Sequence, residues 1–312
     1  MPEPVRQLYP WPGDALELSS GHTLHYLDLG SGEPVVMVHG NPTWSFYWRT
    51  LAAPLSSTHR IVVPDHIGSG LSDKPQDYSY RLQDHIDNLV ELIEHLDLSG
   101  ITMVVHDWGG PIGLGAALVV PDRITRLVIF NTSVFLEHVP LSIRMARWPG
   151  VGEALVRGLN GFARAGLIRA IGDRGRMRGA IRQGYLAPYG SYHDRIAHLR
   201  FIRDIPVEPD HPTHATIARL HEGVPRTFAE TPTMLIWGDR DFVFTPRFLG
   251  QWQELMPHAE VHRFPDAAHW VVEDAHERIL PLMEAFLQGT TQEGSTTQEG
   301  STTQEGSTTQ EG

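Results

Sequence analysis

Two hydrophobic periods alternate along most of the chain. Short apolar runs of strand length fall at Val35 to Val38, Arg60 to Val63, Ile101 to Val105, Ile124 to Asn131, Thr233 to Trp237 and Glu260 to Phe264. His22 to Leu29 alternates as an exposed strand does. Between Tyr80 and Leu96 the apolar positions are Leu82, Ile86, Leu89, Val90, Ile93 and Leu96, which is helical spacing. Helices are also predicted over Phe46 to Leu55, Pro111 to Val120 and Glu273 to Leu287. Strands and helices in alternation imply an α/β fold, a mostly parallel sheet with helices on both faces.

The alternation stops between Val134 and Pro225. That stretch is rich in Arg and Gly, with helical segments such as Gly152 to Phe162 and Ser191 to Ile202 and no clear strand. It reads as a helical cap, 134–225, inserted into a core made of 1–133 and 226–287. At the C-terminal edge of such a sheet it would act as a lid. From Gly289 onward TTQEGS repeats, with one Glu per copy and no apolar residue. Residues 288–312 are therefore predicted to be a disordered tail.

Composition narrows the classes. The chain has 312 residues and a formal charge of −12, with no obvious basic cluster in sequence to offset it. That argues against a nucleic-acid partner. Cys is absent, which excludes disulfides, a thiol nucleophile and a Cys-based metal site. No apolar run reaches transmembrane length, and the first residues lack the pattern of a signal peptide. The expectation is a cytoplasmic protein with no membrane partner. Nothing in the pattern fixes an oligomeric state.

The chemistry concentrates at Val104-Val105-His106-Asp107-Trp108-Gly109-Gly110. Strand, sharp turn and helix in that order are the setting of a nucleophile elbow. The usual elbow carries Ser, and this one carries Asp. A Ser attacking an sp3 carbon would form a dead-end ether. A carboxylate forms an alkyl ester that His-activated water can clear. An Asp elbow therefore points to displacement at alkyl carbon, either carbon–halogen cleavage or epoxide opening. The alternative is an Asp that only caps the next helix.

The partners weigh against that alternative. Asp241 follows the Thr233 strand and His269 follows the Glu260 strand, giving the chain order nucleophile, acid, His. An acid on His Nδ1 fixes the tautomer and stabilises the imidazolium. Asp239 reads as a turn residue, and His106 is expected to point away from the nucleophile. Most of the other His, including His85, His95, His198, His211 and His276, read as solvated. The loop His39-Gly40-Asn41-Pro42 can supply one oxyanion N–H and Trp108 the other. The Asn41 amide and Trp108 indole are neutral donors suited to a departing halide. Alone, Gly-Asn-Pro is also ordinary turn chemistry.

The segments HGNPTWSFYWR, PDHIGSGLSD, VVHDWGGPIG and WGDRDFVF together resemble haloalkane dehalogenases of the α/β-hydrolase fold. The likeness runs from about residue 12 to 287. It implies Asp107 as nucleophile, His269 as base, Asp241 as acid and Asn41 with Trp108 as the halide pair. The expected partners are a small haloalkane, water and the halide product, with no cofactor and no metal. Phe135, Trp148, Phe162 and Leu167 are candidate pocket residues. The strand Ile124–Asn131 ends without a carboxylate before Glu137, which selects the branch with Asp after the later strand. One departure is Val105, where many elbows have Gly. Its room must come from Gly109 and Gly110. Epoxide hydrolases share the Asp-Trp elbow but need cap tyrosines, for which Tyr185, Tyr189 and Tyr192 are available. Asn41 favours halide over epoxide. Fluoroacetate-type dehalogenases need an Arg beside the elbow, and none is present. A cofactor-free, luciferase-like oxygenase and a non-catalytic hydrolase-fold receptor remain as readings from other classes.

Overall fold

The computed structural model describes residues 1–135 and 141–289. The repeat predicted to be disordered lies outside the described residues from Thr290 on, and so does Glu137. The sheet has eight strands: β1 (Asp14–Glu17), β2 (Thr23–Leu29), β3 (Pro34–Val38), β4 (Arg60–Pro64), β5 (Ile101–Val105), β6 (Ile124–Phe130), β7 (Thr233–Gly238) and β8 (Glu260–Phe264). They run in the order β1-β2-β4-β3-β5-β6-β7-β8. The pairs β1–β2 and β2–β4 are antiparallel, and β4–β3–β5–β6–β7–β8 are parallel. The apolar runs landed on the parallel strands because those strands are covered on both faces.

Side chains in a strand point to opposite faces in turn. Val36, Val38, Met103, Val105, Leu127 and Ile129 accordingly join one buried cluster, with the helices Leu82–His95, Gly109–Val119 and Pro212–Thr227. Val35, Met37, Val104, Val128 and Phe130 join the other, with Arg49–Leu55 and Val271–Leu287. The short strand β1, the helix Glu3–Leu8 and the helix Pro246–Leu255 are additional to the predicted elements, although Phe248, Leu249, Trp252 and Leu255 do stand at helical spacing.

Between β6 and β7 the described elements are helical: Leu141–Ala146, a π-helical run Glu153–Gly158, then Gly161–Arg169, Gly179–Leu186, Ile196–Asp204 and Pro212–Thr227. The predicted helix Gly152 to Phe162 is broken at Asn160, whose φ of 52° is left-handed. His85 and His198, read as solvated, are both buried. His85 sits on the inner face of its helix beside Leu82, Ile86 and Leu89 and stacks on Phe201 at 4.6 Å. His198 packs on Tyr189 at 4.2 Å. An amphipathic pattern dominated by its apolar members hides which polar residue shares their face.

One buried ion pair within the core takes a hydrogen bond from the insertion. Arg49 donates to both oxygens of Glu273, at 2.5 and 3.0 Å, and Tyr185 Oη donates to Glu273 at 2.5 Å. Arg49 and Glu273 are nearly fully buried, so each charge relies on the other. Removing one partner strands the other without water. Glu273→Ala should therefore cost about 3–5 kcal/mol of stability, read from urea unfolding at an unchanged m-value. A loss below about 1 kcal/mol would show that the guanidinium finds water or another acceptor.

Candidate active site

The elbow is built where β5 ends. Asp107 has φ 53°, in the left-handed region that β-carbon sterics disfavour. The fold holds it there from both sides. Asp107 N–H donates to Asn131 O at 3.0 Å, and Thr132 Oγ1 donates to Asp107 O at 2.5 Å. The following helix can approach only because Gly109 and Gly110 lack side chains. A Cβ on Gly109 would strike the Val38 carbonyl, and one on Gly110 would strike Thr132. Val105 has its own solution. Its Cγ1 fills the space next to Gly113, one turn into the helix, where a Cβ would collide with it. The missing Gly at 105 is thus matched by a Gly across the interface.

The loop after β3 covers Asp107 so closely that a Cβ on Gly40 would overlap its carboxylate. Asn41 N–H donates to Asp107 Oδ1 at 2.6 Å. The Trp108 backbone N–H also donates to this carboxylate. Asn41 thus holds Oδ1, while Oδ2 lies 3.6 Å from His269 Nε2. His269 Nδ1 lies 2.8 Å from Asp241 Oδ2, and Asp241 Oδ1 accepts from Val243 N–H at 2.7 Å. Asp239 instead pairs with Arg263 at 3.0 Å near the surface. His106 turns its Nε2 to the His269 carbonyl at 2.8 Å and stacks on Tyr47, away from the cavity.

Electrostatics follow from burial and neighbours. Burial pushes the Asp107 carboxyl up, and His269 and the two N–H donors only partly offset this. Burial alone would lower His269. Asp241, by charge and hydrogen bond, and then Asp107 more than reverse that, so His269 is raised above its usual value.

Asp107 and His269 open into a cavity of about 420 Å³. Asn41 and Trp108 line it beside them. The Asn41 amide donates to His198 O at 3.3 Å, while its Oδ1 is buried without a protein partner. The walls are apolar and come from two sides. The insertion supplies Ile143, Val156, Phe162 and Ile202, and the loop after β7 supplies Phe242 and Phe244. Arg169 is a charged lining residue, stacked on Phe242 at 4.6 Å. Of the four pocket candidates, Phe135 and Phe162 line this cavity. Trp148 does not: it is 57% exposed on the outer face of the insertion. Leu167 does not either. It lies on the opposite side of its helix from Gly166 and Arg169 and is buried in the core cluster with Trp270. Helix rotation decided the placement of Leu167, while Trp148 follows the end of its helix at Ala146. Tyr185, Tyr189 and Tyr192 all lie outside the lining. Tyr185 is held by Glu273, and Gly70 N–H donates to Tyr189 Oη. No group of three or more metal-ligating side chains is gathered among the described residues. The aromatic wall Phe242-Phe244 stood inside WGDRDFVF, where the motif drew attention to its acids.

The set has a direct test. Asp241→Asn removes two of the three influences that raise His269 and leaves Asp107 alone against burial, the largest single one. The His269 ring should then titrate at lower pH than in the parent, as followed by NMR of its ring protons. A titration that stays put would mean Asp241 does not set the charge of His269.

The profile of the α/β hydrolase fold family matches residues 33–276. The chain is 45% identical to a cis-3-alkyl-4-alkyloxetan-2-one decarboxylase of Shewanella oneidensis, over 87% of each chain. It is 33% identical to haloalkane dehalogenase 2 of Mycobacterium bovis, over 88% of this chain and 95% of that one. The crystal structure of the haloalkane dehalogenase DatA of Agrobacterium tumefaciens superposes with a TM-score of 0.78 at 27% identity, covering 89% of this chain and 97% of the other. Fold, site and sequence agree: the chain belongs to the α/β-hydrolase family, within its haloalkane dehalogenase-like branch.

Proposed function

We propose that this protein decarboxylates a 3,4-dialkyl oxetan-2-one, a four-membered lactone, to an alkene. The observation that carries the reading is the state of Asp107. Two backbone N–H groups hold the carboxylate, Asn41 on Oδ1, and the side chain opens into a large apolar cavity. The identity to oxetanone decarboxylases, 45% and 41%, exceeds the 33% to a dehalogenase and supports it.

The chemistry suits a carboxylate. Asp107 Oδ2 attacks the ring carbon that bears the ring oxygen. The carbon–oxygen bond breaks, its electrons pass to the ring oxygen, and an alkyl ester of Asp107 with a free carboxylate results. The bond from that carboxylate to its neighbouring carbon then breaks. Its electrons form the alkene, the ester carbon–oxygen bond releases its pair to Asp107, and carbon dioxide leaves. No proton is gained or lost. The nucleophile must also be the leaving group, which a serine alkoxide does badly and a carboxylate does well. Attack inverts one carbon and anti elimination follows, so a cis lactone gives a cis alkene. The raised His269, as an imidazolium, faces the carboxylates as charge moves between them. The apolar walls keep water from the ester, whose hydrolysis would give a hydroxy acid instead. A cavity of about 420 Å³ accommodates two alkyl arms.

Haloalkane hydrolysis is the second reading, favoured by Asn41 and Trp108 beside Asp107 in the cavity. There His269 must be neutral to take a proton from water and clear the ester.

Incubation with a cis-3,4-dialkyl oxetan-2-one should yield cis alkene and carbon dioxide in equal amounts, read by gas chromatography. Asp107→Asn should lower this by roughly 10³-fold or more. Hydroxy acid as the sole product would sink decarboxylation. Bromide release from bromoalkanes without lactone turnover would establish the second reading. In that case His269→Phe should accumulate an alkyl ester on Asp107, seen as a mass increase, and Asn41→Ala should slow halide displacement more than ester hydrolysis.

A further inference from the structure

The insertion carries a second cleft, unrelated to Asp107. It has a volume of about 190 Å³ and is lined by Arg164, Arg174, Arg178 and Arg182 with Leu167, Ile168 and Met177. It lies between the helices Gly161–Arg169 and Gly179–Leu186 and the loop that joins them. All four arginines are exposed. None is in an ion pair among the described residues, whereas Arg49, Arg60, Arg123, Arg263 and Arg278 are each held by a carboxylate. The acid in the same loop, Asp173, accepts from Gly175 N–H and does not line the cleft. Arg174, Arg178 and Arg182 are close in sequence, and folding adds Arg164 from the preceding helix.

We propose that this cleft binds the phosphate headgroup of an anionic lipid and seats the insertion on a membrane surface. Four forked guanidinium groups without a counter-ion match a phosphate, which they can grip in bidentate pairs. The lipid source, as opposed to a free phosphate, follows from the apolar surroundings. Ile168, a cleft residue, is 52% exposed, and the neighbouring insertion elements expose Met145, Trp148, Leu155 and Leu159 at 41–66%. A free phosphate has no use for them. Exposed Trp and Leu beside Arg are the composition of an interfacial face that dips into the headgroup layer. Charge is distributed accordingly. Residues 134–225 hold 13 Arg against eight Asp and Glu, although the whole chain is −12. The insertion is thus net positive on an acidic chain, and four of its arginines gather at the cleft. Leu155 and Arg169 also line the substrate cavity, which puts its wall on the same outer surface. An apolar substrate dissolved in the bilayer would meet the cavity where the protein docks. No helix among the described residues is long and apolar enough to cross a membrane, so the contact is peripheral. The inference holds whichever bond Asp107 breaks.

The test is flotation of the full chain with vesicles. Phosphatidylcholine vesicles containing phosphatidylglycerol should bind it, in a salt-sensitive manner, and pure phosphatidylcholine vesicles should not. Arg164→Gln with Arg182→Gln should weaken binding roughly 30-fold. Arg226→Gln with Arg240→Gln removes the same charge from the core and should leave binding within about twofold. Should the first pair unfold, as judged by circular dichroism, Arg174→Gln with Arg178→Gln takes its place. Equal binding to both vesicle types, or equal weakening by both pairs, overturns the proposal. So does a rise in Tm with inorganic phosphate, lost in the cleft variant, without any vesicle binding: the ligand would then be a soluble phosphate.

Discussion

The backbone of Asp107 is the constraint on which the site depends. A left-handed, non-glycine residue costs about 1–2 kcal/mol, and here the surroundings determine it from every direction. Asn131 receives its N–H, Thr132 holds its carbonyl, and Asn41 and Trp108 hold its carboxylate. Asn131 also exchanges two hydrogen bonds with Gly238, at 2.8 and 3.1 Å. The end of β7, where the acid loop begins, is thereby tied to the elbow. Asp107 and Asp241 follow strands separated by β6, yet a single asparagine ties the two strand ends together.

The same enclosure shapes reactivity. A carboxylate out of water is a stronger nucleophile and a more basic group, which the raised Asp107 expresses. Two N–H donors partly offset that rise, and Asn41 fixes Oδ1. When protonated, His269 adds a positive charge beside it, with Asp241 behind. Such a site favours reactions in which one negative charge travels a short distance between carboxylates, or between a carboxylate and a halide. The members of this branch differ in what departs, and the apolar wall, not the charged floor, is where this chain can choose.

Much of this was legible in the sequence because the strands are buried on both faces and the chemistry sits at their ends. The runs at Val35, Ile101, Ile124, Thr233 and Glu260 lie within two residues of the observed strands. Asp107, Asp241 and His269 converge because each follows such a run. The cavity wall was harder to read. Leu167 and Arg169 are two residues apart on one helix, yet one enters the core and the other lines the cavity. Rotation of a short amphipathic helix depends on partners distant in sequence, and Trp270 is such a partner. His85 and His198 went astray for the same reason. The haloalkane expectation rested on Asn41 and Trp108, which the site does place beside Asp107. A donor pair of that kind is compatible with more than one leaving group.

The buried Arg49–Glu273–Tyr185 link divides the insertion into parts of unequal stability. Residues 170–189 are stitched to the core at several points. Trp270 N–H donates to Ala170 O, Gly172 N–H to Asp274, and the Trp44 indole to Gly184 O. Swinging this part outward would take the Tyr185 hydroxyl from Glu273 and leave these buried hydrogen-bonding groups unpaired, at about 1–3 kcal/mol each. The outer stretch from Leu141 to Phe162 packs largely on a small cluster of Val156, Leu199 and Ile202. Few buried polar bonds oppose its loosening, and Asn160 already interrupts its helix. Local opening free energy is therefore lowest where the cavity wall is thinnest. Breathing of this molecule is confined to one rim of the cavity, while the elbow and the stitched half stay in register throughout.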